Sequence, residues 1–221
     1  MTKRFSKLNL SIILMMVSFL ALTKTGYADE KTIEFDLIDF NEIRIDEVGL
    51  ELDVTVGEDF KIEVIGEDEL LDHLLMKVRG DKLVIYKDGG KKVWGHSGNS
   101  SPHVIISMPK FNGLELRGAI DADIKGVDSD EVEFDIKGAG NIEIEGKCNW
   151  LNIDFKGAGN IEADKLKCKE VDVDLKGAGN IEVYASEKVD ADIKGMGNID
   201  VYGNPEDVTT NDGWFSNISI H

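Results

Sequence analysis

Residues 137–143 read KGAGNIE. The phrase returns at 156–162 and 176–182, and an edited copy, KGMGNID, stands at 194–200. Aligned on the basic residue before the first glycine, the units begin at Arg117, Lys137, Lys156, Lys176 and Lys194, in steps of 20, 19, 20 and 18 residues. The first unit, RGAIDADI, is a degenerate copy. Each phrase is preceded by an alternating apolar–polar segment (VEFDIKG, LNIDFKG, VDVDLKG, VDADIKG) and followed by a shorter one such as NIEIEG or NIEVYA. Period-two alternation is the pattern of a strand with one buried face. A single 20-residue unit has too little apolar surface to fold alone, whereas stacked units share an interior. The repeat therefore predicts a parallel β-solenoid with one turn per 18–20 residues and rungs about 4.8 Å apart. Crossover handedness favours a right-handed coil.

The expected interior follows from the alternation: Val132, Phe134 and Ile136 in one rung, then Leu151, Ile153 and Phe155, and so on through Ile199 and Val201. Within the phrase itself, Gly138, Gly140, Gly157, Gly159, Gly177, Gly179, Gly195 and Gly197 are read as corner residues that permit a sharp bend. Ala139, Ala158, Ala178 and Met196 are expected to tuck inward there. Asn141, Asn160, Asn180 and Asn198 would stack and hydrogen-bond from rung to rung. A corner and a ladder is one reading of the phrase, and a cation or sugar site is the other. The Asp and Glu columns (Asp135, Asp154, Asp174, Asp192; Glu143, Glu162, Glu182, Asp200) face outward beside a Lys column, which favours a self-neutralised surface over a metal array.

Upstream, TIEFDLIDF, EIRIDEV, LELDVTV, FKIEVIG, KLVIYKD and HVIISMP also alternate. We read residues 32–109 as antiparallel hairpins and meander strands, with a short helix or helical turn within 67–78 and a Gly/Ser-rich loop at 87–102. The fold class is thus all-β, antiparallel strands leading into a right-handed parallel solenoid.

The start of the chain has Lys3, Arg4 and Lys7, then an apolar run over 8–22, then small residues at Gly26 and Ala28. This is the pattern of a secretory signal cleaved after Ala28. The remaining 221 − 28 = 193 residues would carry −18 − 4 = −22 charges, because Lys3, Arg4, Lys7 and Lys24 leave with the signal. So acidic a chain is unsuited to nucleic acid or anionic membrane. Residues 29–221 are expected to form a single domain, with a strand and hairpin part (29–113), a repeat solenoid (114–203) and a C-terminal cap (204–221).

Cys148 and Cys168 are 20 residues apart, the same interval as Gly157 and Gly177. They occupy one position in consecutive rungs, within disulfide range, and export leads to an oxidising compartment. A cross-rung disulfide and two stacked thiols are the alternatives. The spacing excludes a CxxC redox or zinc motif. The four histidines share no metal spacing, and no nucleophile elbow, P-loop or dinucleotide fingerprint is present. No catalytic residue, metal or cofactor is expected. Trp94 and His96 in the long loop, and Trp214 and Phe215 near the end, are candidate contacts for a sugar or protein.

The order of these phrases resembles a bacterial family, DUF2807, described as a putative autotransporter adhesin head GIN domain. The resemblance rests on FNEIRIDEVGLELDVTVGEDFKIEVIGEDELLDHLLMKVRGDKLVIY, then VIISMPKFNGLELRGAIDADIKG, the Gly-Ala-Gly-Asn units and VYGNP. It implies a solenoid-like all-β fold in exported bacterial proteins and an adhesive or carbohydrate-related role, with no catalytic residues. The expected function is a non-enzymatic binding module of the cell envelope, periplasmic or at the cell surface, for a glycan or surface protein. The alternatives are a structural envelope protein that stacks through its solenoid, and a polysaccharide-acting β-helix enzyme.

Overall fold

The structure is a computed structural model and describes residues 30–88 and 101–221. The strands are β1 (Glu30–Phe35), β2 (Glu42–Val56), β3 (Lys61–Glu67), β4 (Leu74–Arg79), β5 (Lys82–Lys87), β6 (His103–Met108), β7 (Gly113–Leu175), β8 (Ala178–Ile193), β9 (Met196–Tyr202), β10 (Asp207–Asn211) and β11 (Ser216–Ile220). A four-residue helix, α1 (Asp68–Leu71), lies between β3 and β4, within the segment where clustered leucines predicted a helical turn. β7 is one extended run of 63 residues. It coils through successive rungs, so that Gly138 lies over Gly118 and Gly157 over Gly138.

Parallel pairing dominates from β2 onward. β8 lies in register on β7, with Asn160 opposite Asn180 and Ile161 opposite Ile181. β9 repeats that register on β8, and β10 and β11 pair parallel to β8 and β9 as a last rung. The sheet runs from β1 to β11 without closing into a barrel.

The N-terminal segment departs from the hairpin-and-meander reading of 32–109. β2 pairs parallel with β7 on one side and with both β5 and β6 on the other. β5 and β6 together therefore form the rung that precedes β2 in space although they follow it in sequence. Antiparallel pairing is confined to β1 on β3, β3 on β6 and β4 on β5. Of the strands in these pairs, β1, β3 and β4 lie outside the rungs and cover the N-terminal end of the stack. The expected antiparallel pairing is thus present, the β4–β5 hairpin included, and the departure is limited to the parallel placement of β2, β5 and β6, since alternation reports which face of a strand is buried, not which neighbour it pairs with.

The interior is continuous. Phe134, Phe155, Ile153, Val173, Ile181 and Val201 are each 0 % exposed, and Phe111 packs beside Phe134 with ring centroids 6.3 Å apart. Every residue placed inward by the alternation within the repeats is buried. At roughly 25 cal/mol per Å² of apolar area, each rung draws its stability from covering its neighbours.

Candidate functional site

At the repeated corner, the alternation does not stop. Ile136 and Ile142 face in, Lys137 and Asn141 face out, and the glycines take the inward parity between them. Ala139 and Ala158 are consequently exposed, Ala178 is half-buried and Met196 is 60 % exposed. This corrects the expectation that these four side chains tuck inward. The glycines are needed for close approach more than for bending. A Cβ on Gly138, Gly157, Gly177 or Gly195 would lie 2.0, 1.7, 2.0 and 2.0 Å from the carbonyl oxygen of the glycine one rung below. Of the eight corner glycines only Gly159 and Gly197 have positive φ.

The asparagines beside them form a ladder. Asn160 Nδ2 donates to Asn141 Oδ1 at 3.2 Å, Asn180 to Asn160 at 3.0 Å and Asn198 to Asn180 at 3.2 Å. Each interior amide spends a donor and an acceptor on its neighbours, which leaves less for a ligand.

On the strand before the corner, each lysine is held by the aspartate two residues earlier: Lys137 by Asp135 at 2.6 Å, and likewise Lys156 by Asp154, Lys176 by Asp174 and Lys194 by Asp192. Lys176 also approaches Asp154 of the rung below at 3.9 Å. The Asp174 hydrogen bond raises the Lys176 ammonium above its ordinary value. This face neutralises itself.

The strand after the corner does not. A shallow groove of about 570 Å³ is lined by Glu51, Asp53, Asp121, Asp123, Glu143 and Glu162, with Asn141, Asn160 and His103. His103 Nε2 lies 2.8 Å from Asp53 Oδ2, and Lys125 pairs with Asp123. Among the described residues no cluster of three His, Cys, Asp or Glu side chains is arranged to hold a metal ion.

The remaining corner carries the disulfide. Cys148 and Cys168 are bonded, with Cα atoms 4.5 Å apart, and both are buried. The bond joins consecutive rungs. Around it lies a second groove, about 590 Å³, lined by Lys110, Lys147, Lys167, Lys169, Asn149 and Tyr184, with Asp128 and Asp130. Lys147 meets Asp128 at 3.0 Å. Lys167 donates to the Asp164 carbonyl at 2.6 Å and sits 3.9 Å over the Tyr184 ring. Lys110 and Lys169 have no carboxylate within ion-pair distance among the described residues. On a chain of net charge −18, this is a local basic surface.

A family model described as "Putative auto-transporter adhesin, head GIN domain" (DUF2807) matches residues 39–205. The chain belongs to this family. Among solved structures, a putative adhesin from Bacteroides fragilis shares the fold at a TM-score of 0.68 and 21 % identity, with 87 % of this chain and 97 % of that one covered. Putative adhesins from Parabacteroides distasonis and Parabacteroides merdae match at 0.50 each, with 14 % and 16 % identity and 89 % and 98 % of the two chains covered in each case. A comparison with curated proteins finds no match. The GIN-domain match runs from before β2 to just past β9, so the family signature takes in the stacked rungs short of β10 and β11 and is not the repeated phrase alone.

Of the aromatic candidates in this GIN-domain chain, Trp214 is fully exposed and Phe215 is 81 % exposed. They lie together between β10 and β11. Trp94 and His96 fall outside the described residues, as does the expected signal segment. Sequence reading missed the lysine groove. Its signal is present in GKCNW and KLKCKE, where lysines flank both cysteines, but only the register of the rungs brings those lysines together.

Proposed function

We propose that this protein is an exported, non-enzymatic binding module of the bacterial envelope that attaches to an acidic glycan or an acidic surface partner through the groove beside Cys148–Cys168. The observation that carries this reading is the set of lysines Lys110, Lys147, Lys167 and Lys169 gathered around Tyr184 and Asn149. Most other lysines of the described residues are paired with a carboxylate, whereas of these four only Lys147 is. Unpaired ammonium groups present donors to carboxylate or sulfate oxygens, and an aromatic ring with an amide nearby suits a sugar face and its hydroxyls. Membership in a family described as adhesins supports binding over catalysis. Among the described residues no helix is long and apolar enough to cross a membrane, and export to the periplasm or the surface fits the N-terminal sequence.

A glycan array probed with the purified protein tests this. Binding should concentrate on uronate- or sulfate-bearing chains, weaken with added salt, and fall in Lys110→Glu/Lys169→Glu. Failure to bind any glycan or cell surface, or binding indifferent to both substitutions, contradicts the reading.

A further inference from the structure

The two ends of the coil differ. At the N-terminal end, β1, β3 and β4 lie antiparallel over the first rung. At the other end, β10 and β11 pair on one side only among the described residues. Their outer backbone groups form a strand edge, which in soluble proteins is ordinarily blocked by charge, proline or a covering element. This one is not. Val208, which continues the buried column of Val189, is 41 % exposed, and Ile220, which continues Val201, is 39 % exposed. Trp214 and Phe215 project from the same rung, and Met196 from the rung beneath. Five of the six exposed large hydrophobic side chains of the described residues thus lie in the last two rungs, the sixth being Ile38.

The charge distribution points to the occupant. Asp207 and Asp212 are the only Asp, Glu, Lys or Arg side chains in residues 207–221, whereas such residues make up 31 % of the whole chain. Two copies of so acidic a chain repel one another along the flanks and least at this end. The edge is also its own complement: a two-fold axis perpendicular to the coil lays an edge strand antiparallel on its copy, so that the free N–H and C=O groups pair. We propose that the protein forms an end-to-end two-fold dimer through β10, β11 and the Trp214–Phe215 turn. The basic groove lies on the flank and is left open, so this holds whichever ligand the groove takes.

Sedimentation of the purified protein tests it. The wild type should sediment as a concentration-dependent dimer, and Val208→Lys/Ile220→Lys as a monomer with unchanged circular dichroism. A flexible bismaleimide supplies a second measurement that does not depend on that variant folding. Both native cysteines are bonded, so an introduced cysteine is the sole free thiol. Thr209→Cys should cross-link to a covalent dimer and Thr32→Cys, at the capped end, should not. A wild type that stays monomeric at every concentration, a dimer that survives both lysines, or equal cross-linking from the two sites would each overturn the proposal.

Discussion

At the scale of single residues, the glycines of the repeated phrase hold the rungs at strand spacing because nothing larger fits. A methyl at Gly157 lands 1.7 Å from the Gly138 carbonyl oxygen, and the backbone on both sides is locked in a parallel ladder. Gly157→Ala should cost at least about 2 kcal/mol in urea unfolding. Gly49→Ala is the contrasting case. Its new methyl meets only Ala119, at ordinary contact distances of 3.8 and 3.9 Å, and stability should stay within about 0.5 kcal/mol of wild type. Two carboxylates give pH dependence of opposite sign. Burial, with Asp190 and Asp174 nearby, raises the Asp172 carboxyl above its usual 3.8. Its charged form is disfavoured in the folded state, so its cost grows as pH rises from that value through the raised one. The hydrogen bond from Lys194, aided by the charge of that ammonium and a bond from Asn211, lowers Asp192 below 3.8 despite some desolvation. Its contribution is present above 3.8 and is lost as pH falls through the depressed value. At neutral pH, Asp172→Asn should therefore stabilise slightly and Asp192→Asn destabilise, and both differences should vanish in strong acid, as thermal melts across pH would read.

At the scale of elements, the repeated rungs were legible because inside and outside alternate along each strand of the repeat, with the parity shifting only between strands, as from Cys148 to Leu151 and from Cys168 to Val171. The corner was half legible: GAGN marked its place, but the outward Ala139 and Ala158 follow from the parity of the backbone and not from their apolar character. The rung made by β5 and β6 was not legible. Its two strands, β5 and β6, are separated in sequence by 88–102 and stack against β2, which precedes them in sequence, so no repeat interval reveals it. The lysine groove assembles from residues of separate rungs, and such a cluster appears only after the register is known. The disulfide acts at this scale, tying one rung to the next across 20 residues. Replacing both cysteines by serine should lower stability by about 3 kcal/mol on the loop-closure argument, measured by chemical denaturation, without loss of β signal in circular dichroism.

At the scale of the whole molecule, charge is distributed by face. One outward strand face neutralises itself with Asp–Lys pairs, one gathers carboxylates around His103, and the disulfide corner gathers lysines. The chain carries a net charge of −18 and repels itself when folded, so its melting temperature should rise with ionic strength even as exposed ion pairs weaken. A melting temperature that falls with salt would mean that the pairs outweigh the repulsion. The stacked register underlies the corner, the ladder, the groove and the free end alike. Mass spectrometry of the protein isolated from its native source after thiol alkylation tests it most directly. Without reductant, no alkylated cysteine and a linked Cys148–Cys168 peptide are predicted, with both thiols labelled after reduction; two freely alkylated cysteines in the unreduced, folded protein would contradict the bond by which the stacking joins these two rungs.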